Sequence, residues 1–188
     1  MYKAIVIGTS YGGLEALKLI LPAFGKDFPL PVFVVLHIGD HSNDGFVGYL
    51  NSICNLPVKE AESNEEILPG TIYFAPPNYH LLVEDESTIA LSADEKLNFS
   101  RPSIDVLFES AAWIYTKYLI GVILTGANSD GANGLKMIKE FGGTTIVQNP
   151  LSAVSPAMPR AALKTAKPEI RLELEDIPAK LIQLAYSS

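Results

Sequence analysis

The chain has 188 residues, 48% of them hydrophobic, with 14 glycines, 13 prolines and a formal charge of −7. That length suits one domain over residues 1–188, burying roughly 70% of its unfolded surface without a metal or disulfide staple. The single cysteine, Cys54, excludes a disulfide framework and fits a reducing, cytoplasmic setting; no apolar run approaches the ~20 residues of a membrane span, and the acidic balance argues against nucleic-acid binding, which needs Lys and Arg to replace counterions on phosphates.

The opening segment is too short for a signal peptide and lacks a cleavage site. Ala4–Ile7 reads as a buried strand, followed by glycines and an amphipathic helix carrying Leu14, Leu17, Leu21 and Phe24. Gly8-Thr9-Ser10-Tyr11-Gly12 has G-x-S-x-G spacing at that strand-to-helix turn, the context in which a serine is lifted above a sheet edge as a nucleophile. Taken alone, the loop reads equally as an anion- or dinucleotide-binding turn with Ser10 as a cap. Val32–Leu36 is a second continuous strand and ends at His37. A histidine there stands where a dinucleotide site wants a ribose-binding acid, and the full G-x-G-x-x-G pattern is absent. His37, Asp40, His41 and Asp44 have the composition of a metal loop, but read more simply as a solvated polar loop. Cys54 reads as a small apolar group.

In the middle, Thr71–Phe74, His80–Val83 and Thr88–Leu91 read as short antiparallel hairpin strands. His80 follows Pro76-Pro77-Asn78 and reads as a cleft-wall residue. Arg101 reads evenly as an anchor for an anionic substrate or as a helix-start salt bridge. Pro102-Ser103 opens a helix, with Ser103 as its N-cap. Gly121–Leu124 is a further strand, and Asp130 after it caps the next helix on the simplest reading. Thr144–Val147 is another strand, Ser155-Pro156 opens a short helix, and Ile177–Tyr186 is the last helix. Continuous apolar strands alternating with helices imply an α/β fold: a doubly wound, mostly parallel sheet with helices on both faces and an appended antiparallel hairpin region. Ser10, His37 and Asp130 then all fall at the carboxyl edge of the sheet, where such folds place ligands. A serine is a poor nucleophile unless a histidine takes its proton and a carboxylate orients the imidazole, and these are the three types present.

Assembled in order, IGTSYGG, the strand ending at His37, LPGTIYFAPPNYHL, RPSIDVLF, GVILTGANSDGANGL and TIVQNPLSAVSPAMPRAAL resemble the catalytic domain of the CheB family, the chemotaxis protein-glutamate methylesterases. The resemblance runs from Ile5 to about Leu163. It implies a Ser10–His37–Asp130 triad, oxyanion donors at the backbone N–H groups of Tyr11 and Ala127, and cleft roles for His80 and Arg101. It implies hydrolysis of glutamate γ-methyl esters, and deamidation of glutamines, on a methylated chemoreceptor or related signalling protein, with no metal or other cofactor. The family's usual Met-Gly in the aspartate loop is Ala127-Asn128 here, and Tyr11 stands where a small hydroxyl residue is usual. The first strand begins almost at Met1, so no N-terminal receiver domain is expected. The competing readings are a nucleotide- or anion-binding module and a non-catalytic receptor-binding module on the same fold; a serine-reactive phosphonate separates them from the esterase.

Overall fold

The computed structural model describes residues 1–37, 44–97 and 99–187. Its frame is a seven-stranded sheet in the order β3-β4-β2-β1-β7-β8-β9, every pairing parallel. The strands are β1 (Ala4–Thr9), β2 (Val32–Leu36), β3 (Val58–Glu60), β4 (Ile72–Phe74), β7 (Leu119–Ile123), β8 (Thr144–Gln148) and β9 (Ile170–Leu172). A separate antiparallel ribbon pairs β5 (His80–Val83) with β6 (Ile89–Ser92). The helices are α1 (Gly13–Ile20), α2 (Asp44–Ile53), α3 (Ile104–Tyr115), α4 (Ala132–Glu140), α5 (Ala157–Thr165) and α6 (Ile177–Ala185).

Strand side chains alternate between faces, and the sequence supplies apolar residues to both. In β1, Ala4 and Val6 join a core with α3, α4 and α5, through Leu107, Phe108, Leu135 and Ala162. Ile5 and Ile7 join the opposite core with α1 and α6, through Leu17, Ile20, Ile177 and Leu181. Chain direction matters for the site. From β1 the chain winds outward through β2, then returns to place β7 on the other side of β1. The helix after β1 and the helix after β7 therefore cover opposite faces, and the loops leaving these two strands part at a topological switch point, where open α/β sheets form their crevice.

The doubly wound sheet and the appended ribbon agree with the sequence reading. One strand does not: β4 is not part of a hairpin but a parallel strand of the main sheet, with Val32 opposite Ile72 and Val34 opposite Phe74. All three of its residues are buried, as a two-sided sheet position requires.

Candidate active site

β1 ends at Thr9, which pairs with Leu36 at the end of β2, and the His37 N–H donates to the Thr9 carbonyl at 3.1 Å. Ser10 and His37 thus leave neighbouring parallel strands side by side, at the strand spacing of about 4.8 Å. On the other flank, the Ser10 N–H donates to the Thr125 carbonyl at 3.0 Å, and the Thr9 hydroxyl donates to the same oxygen at 2.8 Å. The turn after Ser10 needs a left-handed residue, and Gly12 (φ 83°) provides it; a Cβ there would also stand 2.7 Å from that of Val154. The Thr125 hydroxyl donates to the Tyr11 carbonyl at 2.9 Å and accepts from the Ser155 N–H at 2.8 Å, tying the loops after β1, β7 and β8 together.

Asp130 is 1% exposed. It does not cap its own helix: α4 begins at Ala132 behind Gly131, another left-handed glycine. Its carboxylate instead sits on the N-terminus of α3. Oδ2 accepts the Ile104 N–H at 2.6 Å, and Oδ1 accepts the Asp105 N–H at 3.1 Å and the Ser103 hydroxyl at 2.9 Å. Ser103 is therefore no side-chain N-cap; its hydroxyl is spent on Asp130, which caps the helix from a distant part of the chain. Burial alone would push the Asp130 carboxyl up, but the His37 contact and the N–H groups of Ile104 and Asp105 outweigh it and hold the group below the usual carboxylate range. The site thus keeps a buried anion, 3.1 Å from Nε2 of His37, whose side chain is 13% exposed.

His80 is 2% exposed and does not form the cleft wall. Its Nε2 donates to the Glu95 carbonyl at 3.1 Å, which leaves Nδ1 to accept the Ser103 N–H at 3.1 Å. It supports the residue that supports Asp130. Arg101 makes no salt bridge among the described residues; its Nη1 donates to the carbonyls of Ala93 and Asp94 at 2.7 and 2.8 Å, and so pins the loop before α3. Among the described residues, backbone carbonyls accept the N–H groups of Ser10, Gly13 and Gly126 in these turns, while those of Tyr11 and Ala127 meet none. Cys54 is half-buried, and burial pushes its thiol up to about 11, which suits packing rather than nucleophilic chemistry. Asp40 and His41 lie outside the described residues, as does the side chain of Asp44.

Three residues of the site escape sequence reasoning. Asp105 is buried beneath Asp130 and accepts the Gly134 N–H at 2.7 Å. Thr125 ties the loops as described, and Asn128 reaches His37. The signal for Asp105 was an acid in the first turn of an otherwise apolar helix start, but only the packing of α4 against α3 makes it legible.

The sheet that carries these residues has counterparts among known proteins. The family described as CheB methylesterase matches residues 5–181. The chain belongs to the CheB methylesterase family. The crystal structure of the Thermotoga maritima CheB methylesterase catalytic domain superposes with a TM-score of 0.93 at 36% identity, covering 98% of this chain and 99% of that one. A Leptospira interrogans relative, provisionally named protein-glutamate methylesterase/protein-glutamine glutaminase, is 52% identical over 183 residues, 97% of this chain and 95% of its own length. The Thermotoga maritima protein-glutamate methylesterase/protein-glutamine glutaminase is 37% identical over 185 residues; the chain spans 54% of its length. No helix among the described residues is long and apolar enough to cross a membrane.

Proposed function

We propose that this CheB-family chain is, over residues 1–188, a serine esterase that hydrolyses glutamate γ-methyl esters, and deamidates glutamines, on the signalling helices of a chemoreceptor in the cytoplasm. The observation that carries this reading is the buried Asp130 carboxylate, kept ionised and 3.1 Å from Nε2 of His37, with Ser10 in strand register beside that histidine. Ser10 attacks the ester carbonyl and passes its proton to His37, which returns it to the methoxide leaving group; water then repeats the cycle on the acyl-serine. Asp130 orients the imidazole and stabilises its cation. The unspent N–H groups of Tyr11 and Ala127 receive the oxyanion. His80 and Arg101 act behind the site, on Ser103 and on the loop before α3.

The test is methanol release from a methylated receptor fragment together with labelling by a serine-reactive phosphonate. Ser10→Ala is expected to abolish both while leaving the thermal transition in place. Methanol release that survives this substitution would refute the assignment, and stabilisation by a nucleotide without labelling would favour an anion-binding module instead.

A further inference from the structure

The two ring nitrogens of His37 have different neighbours. Nε2 lies 3.1 Å from Asp130 Oδ2, although its N–H direction is off the line of a hydrogen bond. Nδ1 lies 3.3 Å from Asn128 Nδ2. The orientation of that amide is set independently, because Asn128 Oδ1 accepts the Asp130 N–H at 3.1 Å. Its –NH2 end is therefore the one turned toward the ring. An amide nitrogen can only donate, so Nδ1 must be bare and the ring proton must sit on Nε2, facing the carboxylate. Asp130 and Asn128 select the same tautomer. Nδ1 is then the basic nitrogen of the site, and it is already occupied.

From this we infer that Asn128 is a positioning residue that restrains the catalytic base: its amide latches Nδ1 of His37 in the resting enzyme and has to leave before Ser10 can react. The inference rests on the triad reading above. As Ser10 Oγ bonds to the ester carbon, its O–H bond breaks and the proton goes to Nδ1. The new Nδ1–H and the Asn128 –NH2 then face each other as two donors. The amide cannot turn over to offer its oxygen without releasing the Asp130 N–H. The Asn128–His37 contact is thus made in the ground state and lost at the transition state, and such an interaction raises the barrier. Asn128 is exposed on its loop, so replacing it leaves the core untouched.

Two readouts on the full chain test this. The chain has 3 histidines, so long-range proton–nitrogen NMR on histidine-labelled protein can follow His37 directly. The wild type is expected to show the Nε2–H tautomer, with the Nδ1 resonance displaced by a hydrogen bond. Asn128→Ala should keep that tautomer through Asp130 but move Nδ1 to its unbonded position. It should also speed phosphonate labelling of Ser10 several-fold, up to about tenfold for one neutral hydrogen bond. An unchanged Nδ1 resonance in Asn128→Ala, or labelling no faster than wild type, overturns the latch. If Ser10 is labelled in no variant, the triad reading falls and the slowing with it, while the Nδ1 resonance still reports whether the contact exists.

Discussion

Asp130 does two jobs with one carboxylate, and they can be separated by measurement. It faces His37, and it caps α3 through Ser103, Ile104 and Asp105. Asp130→Asn keeps one acceptor but puts an –NH2 where a backbone N–H or the imidazole N–H now points. Activity is expected to fall by about 10³- to 10⁴-fold, the scale of a mis-set tautomer in a triad, and stability by about 3 kcal/mol, since a buried charged network is broken. The pH dependence follows from the sign of the shift. Because the folded carboxyl is held below its ordinary value, its stabilisation is complete above the usual carboxylate range and is lost as pH falls through the depressed folded value. Thermal unfolding followed downward from pH ~5 should show a steeper loss in the wild type than in Asp130→Asn. Asp105 has the opposite sign: burial, aided by the charge of Asp130, pushes its carboxyl up, so its ionisation opposes folding as pH rises. Asp105→Asn, which keeps an acceptor for the Gly134 N–H, should therefore hold or raise the melting temperature at pH ~7, where Asp130→Asn lowers it.

At the scale of elements, the site depends on where α3 sits. The helix packs so closely on the end of β1 that a Cβ on Gly8 would lie 2.3 Å from Ile104 Cγ2. Gly8→Ala must displace Ile104, and with it the N-terminal turn that holds Asp130. A loss of about 1–3 kcal/mol is expected, read as a lower urea midpoint with unchanged slope, together with reduced turnover. Such dependence also explains which parts of the molecule the sequence could reveal. β1, β2, β7 and β8 are continuous apolar runs ending in glycine or polar turns, and the residues at their ends locate Ser10, His37 and Asp130 at one edge. β3 and β9 have only three residues each and half-exposed edge positions, too little pattern to detect. β4 looked like a hairpin strand because Pro76-Pro77 follows it, yet its partner is β2, some 40 residues earlier by number. Asp130 read as the cap of the helix it precedes because local spacing cannot announce a helix supplied from 26 residues away. His80 looked accessible for the same reason: its partner Ser103 is close in space but not in sequence.

For the whole molecule, charge and exposed apolar surface set opposite demands on a partner. The chain carries a formal −7, and on the proposed function its substrate is a helix bearing glutamates, so net charge supplies no long-range attraction between the two. Among the described residues, several segments leaving strands carry exposed apolar side chains instead. Tyr11 follows β1 and is 67% exposed, Tyr79 follows β4, Leu151 and Val154 follow β8, and Phe99, 97% exposed, precedes α3. Of these, Val154 lies against the turn that carries Ser10. On the proposed function Val154 would grip an apolar position of the substrate helix while its methylated glutamate enters beside Ser10. Screening weakens repulsion between like charges over a Debye length of about 10 Å at 0.1 M salt, whereas apolar burial is insensitive to it. The Michaelis constant for a methylated receptor fragment is therefore expected to fall as ionic strength rises from about 0.01 to 0.15 M, with kcat nearly constant. Val154→Ser should raise that constant several-fold at every salt concentration, again with little change in kcat, because it removes apolar grip but no reacting group. A Michaelis constant that climbs with salt would mean that recognition runs through local cations instead, and Val154 would then be apolar surface without a partner.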